Sequence, residues 1–473
     1  MRSDGAQSPA PFDVNDVQGD VVPGFKTGHR RFLVVQIDEP PAARSVLSKL
    51  ADEVTKCSDI QDQQAGAKAG PWLNVALSRK GLERLEIATF GTQEQSRSFE
   101  KGIEGATGPI QGRLPADESH MLFSIAADDP QVLIDAGDRL AAVLRRPGIT
   151  VTAQYDGSAI ISDDGHTREH FGFRDSISQP GIEGIADRQQ GGLPRRTDTV
   201  PANWFVIGAG TNDAEVGPDH HGSYMVFAKI EQLVDRFKKF CAESALRINA
   251  DWGRDDVTPE AAAALMIGRY QDGTPVDLRT FPQKPKVAGD DLNGFTYDDD
   301  PYGRVCPLGA HIRKMNPRNA SGEAHRILRR GVPYDSKGKK GLLFVCYQAS
   351  LADGFEYVQG RWANGLISNG LISSAETILN RRLDARVARG ESLLGVNYHT
   401  LAGKAPALPI IDAPPDPLVG WPGRMGTASF ELPRSGGLGG STGLPLFNDW
   451  VRYRTGDYFF TPSVSTLRRW GGG

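Results

Sequence analysis

Short apolar runs of strand length, separated by amphipathic stretches of helix length, constrain this chain more than any other feature. Residues 31–37 (RFLVVQI), 72–77 (WLNVAL), 121–126 (MLFSIA) and 150–153 (TVTA) are rich in β-branched and aromatic residues and read as strands. Between them, Leu82, Leu85 and Ile87 define a short amphipathic helix. Leu133, Ile134, Leu140, Val143 and Leu144 recur at helical spacing after the helix-opening pair Asp129-Pro130. Strands that alternate with helices, some close enough to pair antiparallel, predict an α+β sheet with helices on one face. The second half repeats the pattern without repeating the residues. Residues 223–230 (SYMVFAKI) precede a helix predicted over 231–240, and 341–347 (GLLFVCY) precede a helical segment that ends near Trp362. The pattern suggests a duplicated unit.

The length, 473 residues, exceeds what one hydrophobic core usually serves, so two domains or one duplicated domain are expected. A formal net charge of -4 argues against nucleic acid or an anionic membrane as the main partner. No apolar run approaches the ~20 residues that span a bilayer. The first residues lack the hydrophobic core of a signal peptide, which reads as a cytoplasmic protein unless a leader has been removed. Cys57, Cys241, Cys306 and Cys346 are scattered without a CxxC pair, as in a reducing compartment. Residues 1–28 read as an arm with little structure of its own. Dense Pro and Gly from 405 to 443 mark a long irregular insertion, taken as about 365–447.

Two segments could carry chemistry. In the first, HFGFRDSISQPGIEG (170–184), Asp175 is boxed in by Gly and Pro after a strand and a polar turn. It is either a working carboxylate on a sheet-edge loop or a cap on its own turn. In the second, CPLGAHIRKMNPR (306–318) continues to HRILRRGVPY (325–334). His311 lies among small and apolar residues, as a ligand or a satisfied core histidine would, and the nearby Arg side chains suit an anion. Cys306 is a conceivable thiolate but reads as a buried inert thiol. His311 lacks the HExxH and CxxC contexts of zinc, and no GxxxxGK[ST], GxSxG or CxxCH is present.

Taken together, these segments resemble the dye-decolourising peroxidases. The first is similar to that family's GxxDG motif in its GFxDGxxQP form. The second resembles its proximal-histidine segment, AHIRxxNPR, followed by its distal-arginine segment, RRGxPY. Asp16-Val17-Gln18-Gly19-Asp20 is similar to the N-terminal DxQGD signature, and residues 74–82, 416–420 and 456–460 resemble further landmarks. The resemblance therefore spans about residues 16–463, and the length points to the larger fungal and actinobacterial forms.

The resemblance implies two ferredoxin-like domains, each an antiparallel sheet flanked by helices, with haem in the second. On that basis residues 29–200 form the first domain, carrying the distal Asp loop, and 201–473 form the haem domain. It implies non-covalent haem b with His311 as the axial iron ligand, Asp175 as distal acid–base group and Arg329 as distal cation, with Arg330 the alternative for that role. Ser176, Ile177, Asn316 and Arg318 would line the cofactor, the last two near its propionates. A carboxylate behind His311 would raise its basicity, with Asp449 and Asp416 as candidates. Trp362 would be a surface electron-transfer residue, with Tyr334 and Tyr347 as further candidates or simply core. The reaction implied is reduction of hydrogen peroxide through a ferryl intermediate, coupled to one-electron oxidation of dyes, phenols, other bulky reductants or Mn(II). The protein would be a monomer or homodimer. The alternatives are a haem-handling protein with incidental peroxidase activity, or an unrelated α+β enzyme in which His311 and Asp175 are structural. One departure is notable. Ser176 stands where the family has Gly, so its hydroxyl could touch Asp175 or narrow the distal pocket.

Overall fold

The structure is a computed structural model that describes residues 10–63, 69–87, 97–103, 119–185, 199–211, 217–287, 292–300, 303–318, 322, 324–363, 429–433, 441–445 and 450–472. The strands of the main sheet are β1 (His29–Ile37), β2 (Trp72–Ser78), β3 (Met121–Ala127), β4 (Ile149–Ser158), β5 (Ser223–Gln232), β6 (Leu328–Arg329), β7 (Val332–Ser336), β8 (Lys339–Gln348) and β9 (Val451–Thr461). The principal helices are α1 (Pro40–Leu50), α2 (Pro130–Leu144), α3 (Val234–Trp252), α4 (Pro259–Ile267), α5 (His311–Met315) and α6 (Val464–Trp470).

All nine strands form one sheet, in the order β6-β8-β5-β9-β2-β3-β1-β4, with β7 also paired to β8. Split between β9 and β2, this order shows the duplication. The first half runs β4-β1-β3-β2. The second runs β9-β5-β8 and then β6 and β7, so each half places its strands fourth, first, third, second. That is the ferredoxin-like order, twice. The fold is α+β with antiparallel pairing along the sheet, as the alternating pattern predicts.

Two seams join the halves. At one, β9 meets β2 through only Phe459↔Ser78 and Phe460↔Leu77. Where they diverge, the Gln18 amide donates to Val75 O (3.0 Å) and Pro462 O (2.7 Å) and accepts from Val75 N (2.9 Å). At the other seam the sheet curls until β4 reaches β7. Gly157 of β4 lies so near Val332 and Pro333 that an added methyl would collide with both. Alternation sorts the side chains. Phe32, Val34, Ala76, Leu122, Met225, Phe227, Val345, Tyr347 and Phe459 face the interior. The alternate residues Leu33, Val35, Val75, Leu77, Phe123, Val226, Cys346 and Phe460 pack outward among Leu47, Leu140 and Leu467 of α1, α2 and α6. Phe32 and Phe227 meet across the interior at 5.0 Å between centroids, one from each half.

Three expectations are corrected. The helix after β5 is longer than 231–240, because Phe237, Phe240, Cys241, Ser244, Ala245 and Ile248 keep its buried stripe going until Gly253 ends it in the left-handed region (φ 63°). The described part of the N-terminal arm, residues 10–28, is not loose: Val17, Val21 and Val22 are at most 1% exposed. Its polar residues are satisfied internally, which composition cannot reveal. In the stretch read as an irregular insertion, Ser429–Pro433 and Ser441–Pro445 pair as an antiparallel hairpin. The rest of that stretch lies outside the described residues, as do Asp416 and Asp449.

Candidate functional site

Asp175 ends one leg of a small hairpin. Its N–H donates to Thr167 O (2.9 Å), and a bridge joins Arg168 to Arg174. The tip, Glu169 to Phe173, closes on the Glu169 carboxylate, which accepts the N–H groups of Phe171 and Phe173 (2.9 Å each) and the side-chain amide of Gln232. Phe171 and Phe173 drop into the helical core against Phe237 of α3. Asp175 Oδ1 accepts the N–H of Ser176 at 2.6 Å.

The backbone angle at Ser176 is one that favours glycine. Ser176 has φ 61°, left-handed backbone in which a side chain costs roughly 1–2 kcal/mol. It is the backbone N–H of Ser176 that reaches Asp175, and this turn is what the position requires. Ser176→Gly is therefore expected to stabilise the protein by about 0.5–1 kcal/mol, after allowing for the entropy that Gly adds to the unfolded chain. A urea midpoint that falls in the variant would contradict this.

The paired arginines separate cleanly. Arg329 lies in β6 opposite Cys346, and the Gln179 amide binds its backbone in both directions (Arg329 N to Oε1, 3.3 Å; Nε2 to Arg329 O, 3.0 Å). Its guanidinium donates to Ser178 O, three residues beyond Asp175. Arg330 points away, donating to the carbonyls of Asp20, Val21 and Pro23 in the N-terminal segment. Gly24 (φ 100°) leaves room for it.

His311 opens α5 and is half-buried. Gly268 ends α4 at φ 88° and packs against Ile312, where a side chain would collide. Arg313 anchors the helix from behind: it is 2% exposed, pairs with Asp300 at 2.6 Å, binds Cys306 O at 2.7 Å and lies over the Tyr297 ring. Burial pushes the Cys306 thiol up to about 11, so it is an inert core residue. Asn316 Oδ1 accepts the Arg318 N–H (3.3 Å). Arg318, at φ 55°, donates to Asn293 O (2.8 Å), Phe295 O (3.0 Å) and Asn293 Oδ1 (3.0 Å).

Asn293 joins the two segments. Its Oδ1 accepts from Arg269 (2.8 Å) and Arg318, while its Nδ2 donates to Ile177 O beside Asp175. Gly273 packs on Ile177 and Arg174, bringing the 268–276 loop into the same assembly. The structure thus gathers Asp175, Ser176, Ile177, Arg318 and Arg329 into one bonded assembly, with Asn316 beside Arg318 and His311 on the adjoining helix. Sequence reading missed Asn293, Glu169 and Arg269. Only Glu169, one residue before the 170–184 segment, sat near a signal.

Trp362 requires correction. It is 3% exposed, not a surface residue. It packs edge-on to His325 and Tyr357 (5.8 Å each), which stack at 3.4 Å. Tyr334 and Tyr347 are also buried, at 2% and 0%.

Enclosure leaves two carboxyls raised. Burial pushes Glu169 up to about 6, opposed by its hydrogen bonds and reinforced by Asp175, and burial likewise raises Asp457 to about 6. Both bind a proton more tightly folded than unfolded, so each favours the folded state below about pH 4 and loses that contribution as pH rises through 6. Raising the pH from about 4.5 to 7 is expected to cost on the order of 1–2 kcal/mol for each. Asp16, Asp272 and Asp277 are held below the usual range by hydrogen bonds that outweigh their burial, and they work the other way only at lower pH. Urea unfolding at pH 4.5 and 7 measures the difference, and Glu169→Gln is expected to flatten part of it.

Comparisons with known proteins identify the family. Residues 16–159 match the family model described as "DyP dimeric alpha+beta barrel domain", and 194–369 match "Dyp-type peroxidase, C-terminal". The chain belongs to the dye-decolourising (DyP-type) peroxidases, a haem-dependent family, and is a hydrogen-peroxide-dependent oxidoreductase. A dye-decolorizing peroxidase of Exidia glandulosa is 28% identical over 389 residues, covering 75% of this chain and 74% of that protein. The "Multifunctional dye peroxidase DyP2" of an Amycolatopsis species is 29% identical over 390 residues, covering 74% and 81%. The crystal structure of an Anabaena DyP-type peroxidase matches with TM-score 0.74 at 25% identity, covering 97% of this chain and 94% of that one. Among the described residues, no helix is long and apolar enough to cross a membrane.

Proposed function

We propose that this chain binds haem b non-covalently through His311 and reduces hydrogen peroxide with Asp175 and Arg329, drawing electrons from dyes, phenols or Mn(II). The observation that carries the reading is the bonded bridge between the two motif segments: Arg329 to Ser178 and Gln179 on one side, Asn293 between Ile177 and Arg318 on the other.

The residues fit the cofactor. Arg269 and Arg318 converge on one amide oxygen, and among the described residues neither forms an ion pair with a carboxylate. Arg318 Nε is buried without a hydrogen-bond partner, and burial lowers Arg269 to about 10, with Arg318 adding to the effect. Such a site favours a ligand that brings its own carboxylates, as the haem propionates do, next to a histidine that can hold iron. In this reading 29–200 supplies the distal loop and 201–473 the cofactor pocket.

Haem, when bound, supplies the iron and electrons for cleaving the O–O bond. The chain's task is the protons and charge. Asp175 Oδ1 is engaged by Ser176 N–H, so Oδ2 takes the proton from one peroxide oxygen and returns it to the departing one. Arg329, fixed by Gln179 and Ser178, faces the negative charge that develops as the bond breaks. Arg318 and Asn316 hold the propionate edge.

The test is titration of the purified protein with haemin, followed by rapid mixing with hydrogen peroxide. We expect one equivalent bound, its absorption spectrum altered in His311→Ala, and a fast spectral change with peroxide. Tight haem binding with no fast reaction would replace this reading with haem handling.

A further inference from the structure

We propose that Glu169 is a positioning residue for the peroxide reaction, holding the Thr167–Asp175 hairpin so that Asp175 is presented in one orientation. The proposal rests on the reading of Asp175 as the acid–base group. The geometry is that of an anchor. One carboxylate receives the two N–H groups that point inward from the hairpin tip, Phe171 and Phe173, and the Gln232 amide at the end of β5. The tip is closed a second time by its own backbone, Glu169 N to Phe173 O (3.1 Å) and Gly172 N to Glu169 O (2.9 Å). Asp175 lies two residues past the second anchored amide. The next two N–H groups fix its leg: Arg174 to Gln271 O and Asp175 to Thr167 O, both 2.9 Å.

The anchor also joins the halves. The hairpin follows the first four strands, whereas Gln232 closes the first strand of the second half. Without the carboxylate, two N–H groups beside the Phe171 and Phe173 rings lose their acceptor. Leaving a buried donor unpaired is the costly case for a hydrogen bond, so the tip would reorganise rather than tolerate it. Any shift there passes along two residues to Asp175. Charge-assisted bonds to backbone amides are also the stronger and more directional kind, which suits a loop that must hold one orientation.

The test uses the haem-loaded protein and four variants: Glu169→Gln, Glu169→Asp, Asp175→Ala and the double variant Glu169→Gln/Asp175→Ala. Glu169→Gln keeps the size but turns an NH2 group toward one of the two amides. We expect it to slow the peroxide reaction at least 10-fold with haem stoichiometry unchanged, and to add less than 2-fold once Asp175 is already Ala, the mark of two residues acting as one. Glu169→Asp, which retains the charge on a shorter arm, is expected to recover part of the rate. Amide hydrogen exchange over 169–175 is expected to rise at least 10-fold in Glu169→Gln while β1 and β3 stay unchanged. An equal slowing in both backgrounds, or no change in exchange, overturns the proposal. Should Asp175→Ala prove fully active, the reading of the site fails instead, and the exchange measurement still decides whether Glu169 holds the hairpin.

Discussion

Asp175→Ala is expected to slow the reaction of the haem-loaded protein with hydrogen peroxide about 100- to 10,000-fold, the range in which a positioned proton shuttle contributes. Its two titratable neighbours in the hairpin among the described residues, Glu169 and His170, are both engaged elsewhere. Glu169 is tied to two backbone amides and Gln232, and the His170 ring is tied to Tyr334 O at 2.8 Å. Arg329→Leu is expected to cost about 100- to 1,000-fold, as for other fixed donors facing developing charge. The two side chains share the loop 175–179 through Ser178, so their effects are expected to be less than additive. Stopped-flow absorbance on mixing with peroxide measures both. Haem uptake measured beside it separates a lost reaction from a lost cofactor. An Asp175→Ala protein that binds haem and reacts at the parent rate would remove this residue from the chemistry.

Asp20→Ala is expected to destabilise the protein by roughly 3–5 kcal/mol, the cost of stranding one member of a buried ion pair. Asp20 is wholly buried and Arg30 is 2% exposed, with 2.5 Å between them. Tyr347 also donates to Asp20 (2.7 Å), and Arg30 goes on to Ser124 (2.6 Å) and Arg330 O (2.6 Å). Removing the carboxylate leaves a guanidinium and a phenol facing each other inside the sheet. Replacing both partners, Asp20→Leu with Arg30→Met, is expected to cost less than the single change, because no uncompensated charge remains. Chemical denaturation of the three proteins measures this. A single-variant loss below about 1 kcal/mol would show that water reaches the pair.

Much of this was legible in the sequence, for physical reasons that differ by residue. The strands announced themselves because each buries alternate faces, one inward and one under helices, leaving runs such as RFLVVQI almost wholly apolar. Asp175, His311 and Arg329 were legible through motif context, and Ser176 as a departure from that context. Its meaning needed a dihedral angle, since nothing in a string of letters gives the sign of φ. Asn293 and Gln232 were not legible. Each works through one side-chain amide whose partners lie between 24 and 116 residues away, and no local pattern encodes that. Trp362 misled because its surface role was carried over from the family resemblance, whereas the chain turns it inward against His325 and Tyr357. The arm misled in the opposite sense. Asp16, Gln18 and Asp20 look like solvated residues, yet Asp16 holds His221 at 3.0 Å and Ser465 N at 2.7 Å, and the other two stitch the interior.

The position of β9 sets an order of events during synthesis. This strand, residues 451–461, lies between β5 and β2, in the middle of the sheet. A ribosome therefore releases β1 to β8 before the strand that fills the gap between β5 and β2. Until it emerges, β2 and β5 each present a bare strand edge, the surface most open to pairing with a neighbouring nascent chain. Gln18, made 444 residues earlier, waits for the carbonyl of Pro462. The β2–β5 side of the sheet thus closes only after β9 is inserted, whereas the β4–β7 seam draws on strands made earlier.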